Sequence, residues 1–250
     1  MKSVSEALTS IIVFSTLLVI TIFVTMYAFV NTYSEPWLTE YYYLRQALLS
    51  VTSNIPVVIN PLGGGSYTVS IPSARMAIGW RDYAEINIYV NSSKALTLSC
   101  KTIYTKIGIP IITHENIVYG VKSEVVNDTR LLPRLREYYS EGYTLLELDT
   151  CRFSAIVERT GNFSGVVYYL RLIYINLTPI TPSQSVNRSY TVSTYIGGTP
   201  QIMTYRNVYG LGIEFRYRDG ETSYIAMGDL GASPPLVLTI IVYNVVVEVK

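Results

Sequence analysis

The chain has 250 residues, a formal net charge of +1 and only 15% charged residues. So even a balance excludes the nucleic-acid binders that rely on a basic patch or a high pI, and the charged content is well below the soluble average of about 25%. Beyond an N-terminal apolar segment about 195 residues remain, enough for one large β domain or two small ones.

The N-terminal segment begins Met1-Lys2-Ser3-Val4-Ser5-Glu6-Ala7, and after Glu6 no charged residue occurs until Glu35. That run of roughly 24 to 28 uncharged residues is long enough for a helix to cross a bilayer core about 30 Å thick. A cleaved secretory signal would have an apolar core of about 7 to 15 residues and a small-x-small site after it. Asn31-Thr32-Tyr33-Ser34-Glu35-Pro36 offers no such site. Lys2 precedes the run and Glu35 and Glu40 follow it. The expectation is therefore a transmembrane helix in the cytoplasmic membrane, N-terminus inside and the large C-terminal part outside.

At about 100° per residue, Ser5, Thr9 and Thr16 fall within about 40° of one another. Ser10, Thr21 and Thr25 form a second stripe. Hydroxyls on an apolar helix serve close packing and hydrogen bonding between helices, or else they bond their own carbonyls four residues back. Glu6, one turn into the helix, is favoured by the helix macrodipole and is costly in an apolar setting unless paired.

Lys2-Ser3 followed by Val4-Ser5-Glu6-Ala7-Leu8 and the long apolar helix resembles the N-terminus of archaeal type IV pilin-like proteins. The likeness covers about the first 30 residues. It implies a short leader, residues 1–3, cut by a dedicated membrane peptidase between Ser3 and Val4. It also implies that Glu6 meets the free amine of a neighbouring subunit; the other reading of Glu6 is an interfacial cap near Lys2. The partners it implies are the leader peptidase, an assembly platform and copies of the same chain in a helical filament, with the membrane as host before assembly.

From Trp37 to about Asn54 the spacing is again helical, with Leu38, Tyr41, Tyr42, Arg45, Leu48, Leu49 and Thr52 at three- and four-residue intervals. Pro36 should kink the helix between the two segments. The expected elements are thus one kinked helix over residues 4–54 and an extracellular β-rich domain over 55–250. Tyr33, Trp37 and Tyr41 to Tyr43 would form an aromatic belt at the membrane surface or a staple between helix and domain. Asn60 to Ser66 is a loop; its three glycines lack the lysine and threonine of a phosphate loop.

Strands are expected over Tyr67 to Ile71, Ala84 to Asn91, Leu96 to Tyr104, Ile117 to Val126, Arg152 to Glu158, Val166 to Leu177, Tyr190 to Ile196, Ile202 to Val208, Ile213 to Tyr217 and Leu236 to Val249. Val166 to Leu177, apolar on both faces, should be central. Asp219-Gly220 should turn a hairpin from Tyr217 to Tyr224. Arg130 to Tyr143, rich in charge around Pro133, reads as a surface loop or short helix, or as a subunit contact patch. So many short strands suggest one β-sandwich or two, mostly antiparallel. The fold class expected is α+β.

Cys100 and Cys151 are the two cysteines. In an exported domain they form a disulfide closing a loop of about 50 residues; otherwise they are buried thiols. N-x-S/T sequons stand at Asn91, Asn127, Asn162, Asn176 and Asn187, each an acceptor for an N-linked glycan if exposed. His114 is the single histidine, and no nucleophile elbow or metal-ligand spacing accompanies it. No cofactor, metal or enzymatic activity is expected. The sequence reads as a structural subunit of a type IV pilus-like cell-surface filament. The alternative is a signal-anchored β-sandwich binding module, or a minor pilin, contacting a surface-layer protein or glycan.

Overall fold

The computed structural model describes residues 2–60, 65–71, 78–108, 110–162, 165–180 and 190–249, with the side chains of 2–11, 29–36, 71, 162, 165 and 190 outside that description. Helix α1 runs over Lys2–Val58. Fourteen strands follow among the described residues: β1 (Tyr67–Ile71), β2 (Ile78–Val90), β3 (Ser93–Ile107), β4 (Asn116–Tyr119), β5 (Val125–Val126), β6 (Arg134–Ser140), β7 (Tyr143–Asp149), β8 (Phe153–Asn162), β9 (Gly165–Ile180), β10 (Tyr190–Ile196), β11 (Gln201–Val208), β12 (Leu211–Tyr217), β13 (Thr222–Ala226) and β14 (Leu236–Val249). Short 3-10 turns occupy Thr129–Leu131 and Met227–Leu230. The chain divides into two units, one ending at Tyr42 and one running from Tyr43 to the C-terminus.

Two expectations about class are corrected. The chain is a mainly β protein rather than α+β, because strands of high β propensity fill nearly everything after α1. And among the described residues no helix is long and apolar enough to cross a membrane. As expected, α1 is one continuous helix through position 36; the Pro36 side chain lies outside the described residues.

The strands form two sheets. In one the order is β1-β10-β14-β9-β8-β5, with β11 also paired to β14; in the other it is β13-β12-β2-β3-β7-β6-β4. Their facing sides share one core. Ile86 and Ile88 of β2, Leu98 and Cys100 of β3 and Phe215 of β12 meet Phe153 of β8, Leu172 and Tyr174 of β9 and Ile240 of β14. Phe153 anchors it, its ring centroid 5.2 Å from Tyr174 and 6.1 Å from Phe215. The sandwich expectation holds at this level.

The central position of Val166 to Leu177 also holds, since β9 lies between β14 and β8. Its pairing with β14 is parallel, however, from Leu236↔Tyr168 to Glu248↔Ile180. A parallel pair needs a crossover rather than a hairpin, and here β10 to β13 intervene. The hairpin at Asp219-Gly220 forms as expected, with Arg216 opposite Thr222. Ile213 and Phe215 point into the core while Arg216 and Arg218 are exposed.

The largest correction in the β domain concerns Arg130 to Tyr143. Only Thr129–Leu131 is a turn, and Arg134–Ser140 is strand β6. It pairs with β7 so that Arg134 faces Asp149 and Arg136 faces Glu147. Opposite charges across a ladder stabilise it, which allows a strand this rich in charge to be buried.

From Tyr43 onward α1 belongs to the domain unit. Leu44, Leu48, Val51, Ile55 and Val58 are buried and recur at three- and four-residue spacing along one face. Arg45 Nε donates to Glu137 Oε2 at 3.0 Å. Ser50 Oγ and the Tyr67 hydroxyl share a hydrogen bond. These contacts fix the last turns of the helix to β6 and β1.

Candidate assembly surface

In the first unit the described side chains from Ile12 to Ala28 are all exposed. Twelve of them are large and apolar, among them Phe14 and Phe23 at 69% and Leu17 at 58%. At about 100° per residue, positions 12, 13, 14, 17, 18, 19, 20, 22, 23, 24, 26 and 27 leave no side of the helix without an apolar residue. A helix that is apolar all round belongs in a buried setting. Treated as a cylinder about 25 Å long and about 10 Å across, this segment presents about 800 Å². Monomers rarely leave contiguous apolar patches beyond a few hundred Å².

The hydroxyls of this segment are turned back on the helix. Thr16 Oγ1 donates to the Ile12 carbonyl at 2.7 Å, Thr21 Oγ1 to the Leu17 carbonyl at 2.8 Å and Ser15 Oγ to the Ile12 carbonyl at 3.0 Å. Of the two readings of the hydroxyl stripe, Thr16 and Thr21 therefore follow the intrahelical one. Thr16 needs no neighbouring helix to satisfy its polar atom. The outward surface is correspondingly more apolar than the sequence pattern implied. The side chains of Ser3, Val4, Ser5, Glu6 and Thr9 lie outside the described residues.

Cys100 and Cys151 form a disulfide, with Cα atoms 5.6 Å apart. Cys100 sits in β3 of one sheet and Cys151 immediately precedes β8 of the other, so the bond ties the sheets across the shared core.

The sequons fall in different settings. Asn127 is exposed between β5 and the 3-10 turn. Asn91 is exposed with φ 50, and its side chain pins a loop: Oδ1 accepts from Tyr209 N at 2.8 Å and Gly210 N at 3.2 Å, and Nδ2 donates to the Asn207 carbonyl at 3.2 Å. Asn176 lies within the central strand β9, its Nδ2 donating to Asn244 Oδ1 at 2.9 Å. The Asn162 side chain and Asn187 lie outside the described residues. His114 is exposed and shares a hydrogen bond with Thr113 Oγ1 at 2.9 Å.

Sequence reading missed one cluster, the charged ladder of β6 and β7. Arg81 and Arg136 both bond the fully buried Glu147, Arg81 at 2.6 Å to Oε1 and Arg136 at 2.7 Å to Oε2. The signal lay in two stretches, Arg134 and Arg136 at period two and Glu147 and Asp149 at period two, the second of which the sequence reading did not use. Paired antiparallel, they neutralise each other.

No protein-family model, characterised protein or solved structure matches the chain.

Proposed function

We propose that the chain is a structural subunit of a cell-surface filament, held together by bundling of the N-terminal helices of successive copies. The observation that carries this reading is the apolar, fully exposed surface of α1 from Ile12 to Ala28. Removing about 800 Å² of such surface from water is worth on the order of 20 kcal/mol per subunit before the costs of association. A bundle of like helices provides the required burial on every side, which a single flat partner does not. The disulfide-tied sandwich then forms the outer layer of the fibre, a setting in which a disulfide persists. In this reading the chain is cut between Ser3 and Val4, Glu6 meets the new terminus of a neighbour, and N-linked glycans decorate the outer layer. The role in this reading is adhesion, motility or surface contact rather than catalysis.

The test is to change Phe14 and Phe23 together to serine in the full chain. Fibres seen in the electron microscope should be lost while the thermal unfolding of the β domain is unchanged. Normal fibres from the double variant would refute the proposal.

A further inference from the structure

An open strand edge presents unpaired backbone N–H and C=O groups, to which a strand of another molecule can add. Most of the open edges among the described residues are blunted by length or irregularity. β1 and β13 are five residues long and β4 is four. β11 has a shift in register between Tyr205 and Val208. Short strands and bulges both discourage pairing between edges.

β8 has neither device. Its register with β9 runs unbroken from Phe153↔Tyr174 to Asn162↔Gly165. On its other side β5 pairs only with Phe153 and Ser154. From Ala155 to Asn162 the lane beside β8 is therefore open among the described residues, and this stretch holds no proline. Glu158, Arg159, Thr160 and Gly161 are exposed. The two charges, Glu158 and Arg159, are opposite in sign, so they put no net charge on the edge to repel a second copy. Glu158 is moreover paired with Arg171 of β9, at 4.0 Å, on the side away from the lane.

Both ends of the lane carry a sequon. β5 runs parallel to β8 with Val126 opposite Ser154. The next residue, Asn127, therefore leaves the sheet beside Ala155, where the lane opens. Asn127 is exposed, and the 3-10 turn Thr129–Leu131 follows it. At the far end, Asn162 of Asn162-Phe163-Ser164 is the last residue of β8. An N-linked glycan is bulky and surface-seeking. On Asn127 it stands where an added strand would have to run.

We propose that N-linked glycans on Asn127 and Asn162 guard the open edge of β8. They fill the lane that a strand of a second copy would otherwise take, and so keep copies from joining sheet to sheet. In each asparagine Nδ2 exchanges one hydrogen for a bond to the anomeric carbon of a glycosyl phosphate donor, and the phosphate leaves with the proton. The proposal rests on the glycan part of the reading above and is independent of how α1 assembles.

The experiment compares the native full chain with the double variant Asn127→Gln, Ser164→Ala, which removes both sequons and leaves β8 intact. Both are held in detergent that covers α1, so that any association comes from the β domain. Peptide mass spectrometry of the native chain should find glycan on both asparagines. Sedimentation over a concentration series should show the native chain unassociated and the double variant associating. Hydrogen–deuterium exchange over residues 155–162 should slow in the associated variant by a factor of about ten or more. Adding Glu158→Lys, which places like charges on the edge, should reverse both effects. Glycan present on both sites with no association of the double variant would overturn the proposal and leave the glycan reading standing. So would association that leaves exchange over 155–162 unchanged or that persists with Glu158→Lys. Absence of glycan from Asn127 in the native chain would overturn both.

Discussion

Glu147 has no exposed surface and accepts from three donors: Arg81, Arg136 and the Tyr138 hydroxyl, the last at 2.9 Å. Burial works against the charge on Arg136, but Glu147 outweighs it and holds that guanidinium above its ordinary range. Burial, then Glu147, push the Tyr138 hydroxyl up to about 12. Removing the acidic member of a buried pair strands its partners and costs about 3–5 kcal/mol. Glu147→Gln should therefore lower stability by that amount in denaturant titration. Glu158→Gln, which breaks a 4.0 Å pair with Arg171 on the surface, should change it by no more than about 0.5 kcal/mol. Asp128 carries a pH signature of its own. The hydrogen bonds from the Arg130 side chain, then from its backbone N–H, hold this carboxyl below its ordinary range. A folded pKa depressed in this way contributes stability above the unfolded value of 3.8, and that contribution is lost as pH falls through the folded value. The acid limb of the stability curve should accordingly be shallower in Asp128→Asn, as read by thermal melts between pH 2 and 5. Gly120 is a third such position. Its φ of +83 is left-handed, and a Cβ there would lie 2.6 Å from the Pro133 carbonyl oxygen. Gly120→Ala should cost on the order of 1–3 kcal/mol, measured the same way.

At the scale of elements, the legible parts were those whose neighbours do not matter. β1, β10 and β14 lie where alternation and β-branched runs place them, because local propensity and burial agree there. The hairpin at Asp219-Gly220 was equally visible, with Gly220 at φ 92. β6 was misread because charge was taken as a sign of solvent. Arg134 and Glu137 are buried; Asp149, the partner of Arg134, stands opposite it in the hairpin strand β7, and Arg45, the partner of Glu137, comes from the distant helix α1. The parallel β9–β14 pair was hidden for a related reason, since strand order is set by packing and leaves no periodic trace. The hydroxyl stripe of α1 was ambiguous by nature: i−4 carbonyls and helix neighbours serve a threonine equally well, and Thr16 takes the former. Of the cavity beside Arg152 nothing was legible, because its lining comes from β2, β6, β12 and the loops around them, which are far apart in sequence. The disulfide was legible from compartment logic alone. It closes a separation of 51 residues, worth about 4 kcal/mol on the chain-entropy model. Changing Cys100 and Cys151 together to serine should reduce unfolding stability by about that amount and leave the core contacts in place.

Across the whole molecule, two surfaces of opposite character have to be reconciled. Residues 12–28 of α1 are largely apolar and exposed, whereas the β domain carries surface ion pairs and an exposed sequon asparagine, Asn127. In the filament reading the first becomes the fibre axis and the second its outer face. Peptide mass spectrometry of the native protein should accordingly find glycan on Asn127 and none on Asn176, whose amide is held between central strands. The measurement that bears most directly on the account is the assembly state of the full-length native chain in detergent-free solution, by sedimentation together with electron microscopy. The account predicts long fibres of uniform width that sediment quickly and dissolve when the α1 surface is covered by detergent. A monodisperse monomer under the same conditions, with residues 12–28 still exposed to solvent, would contradict it.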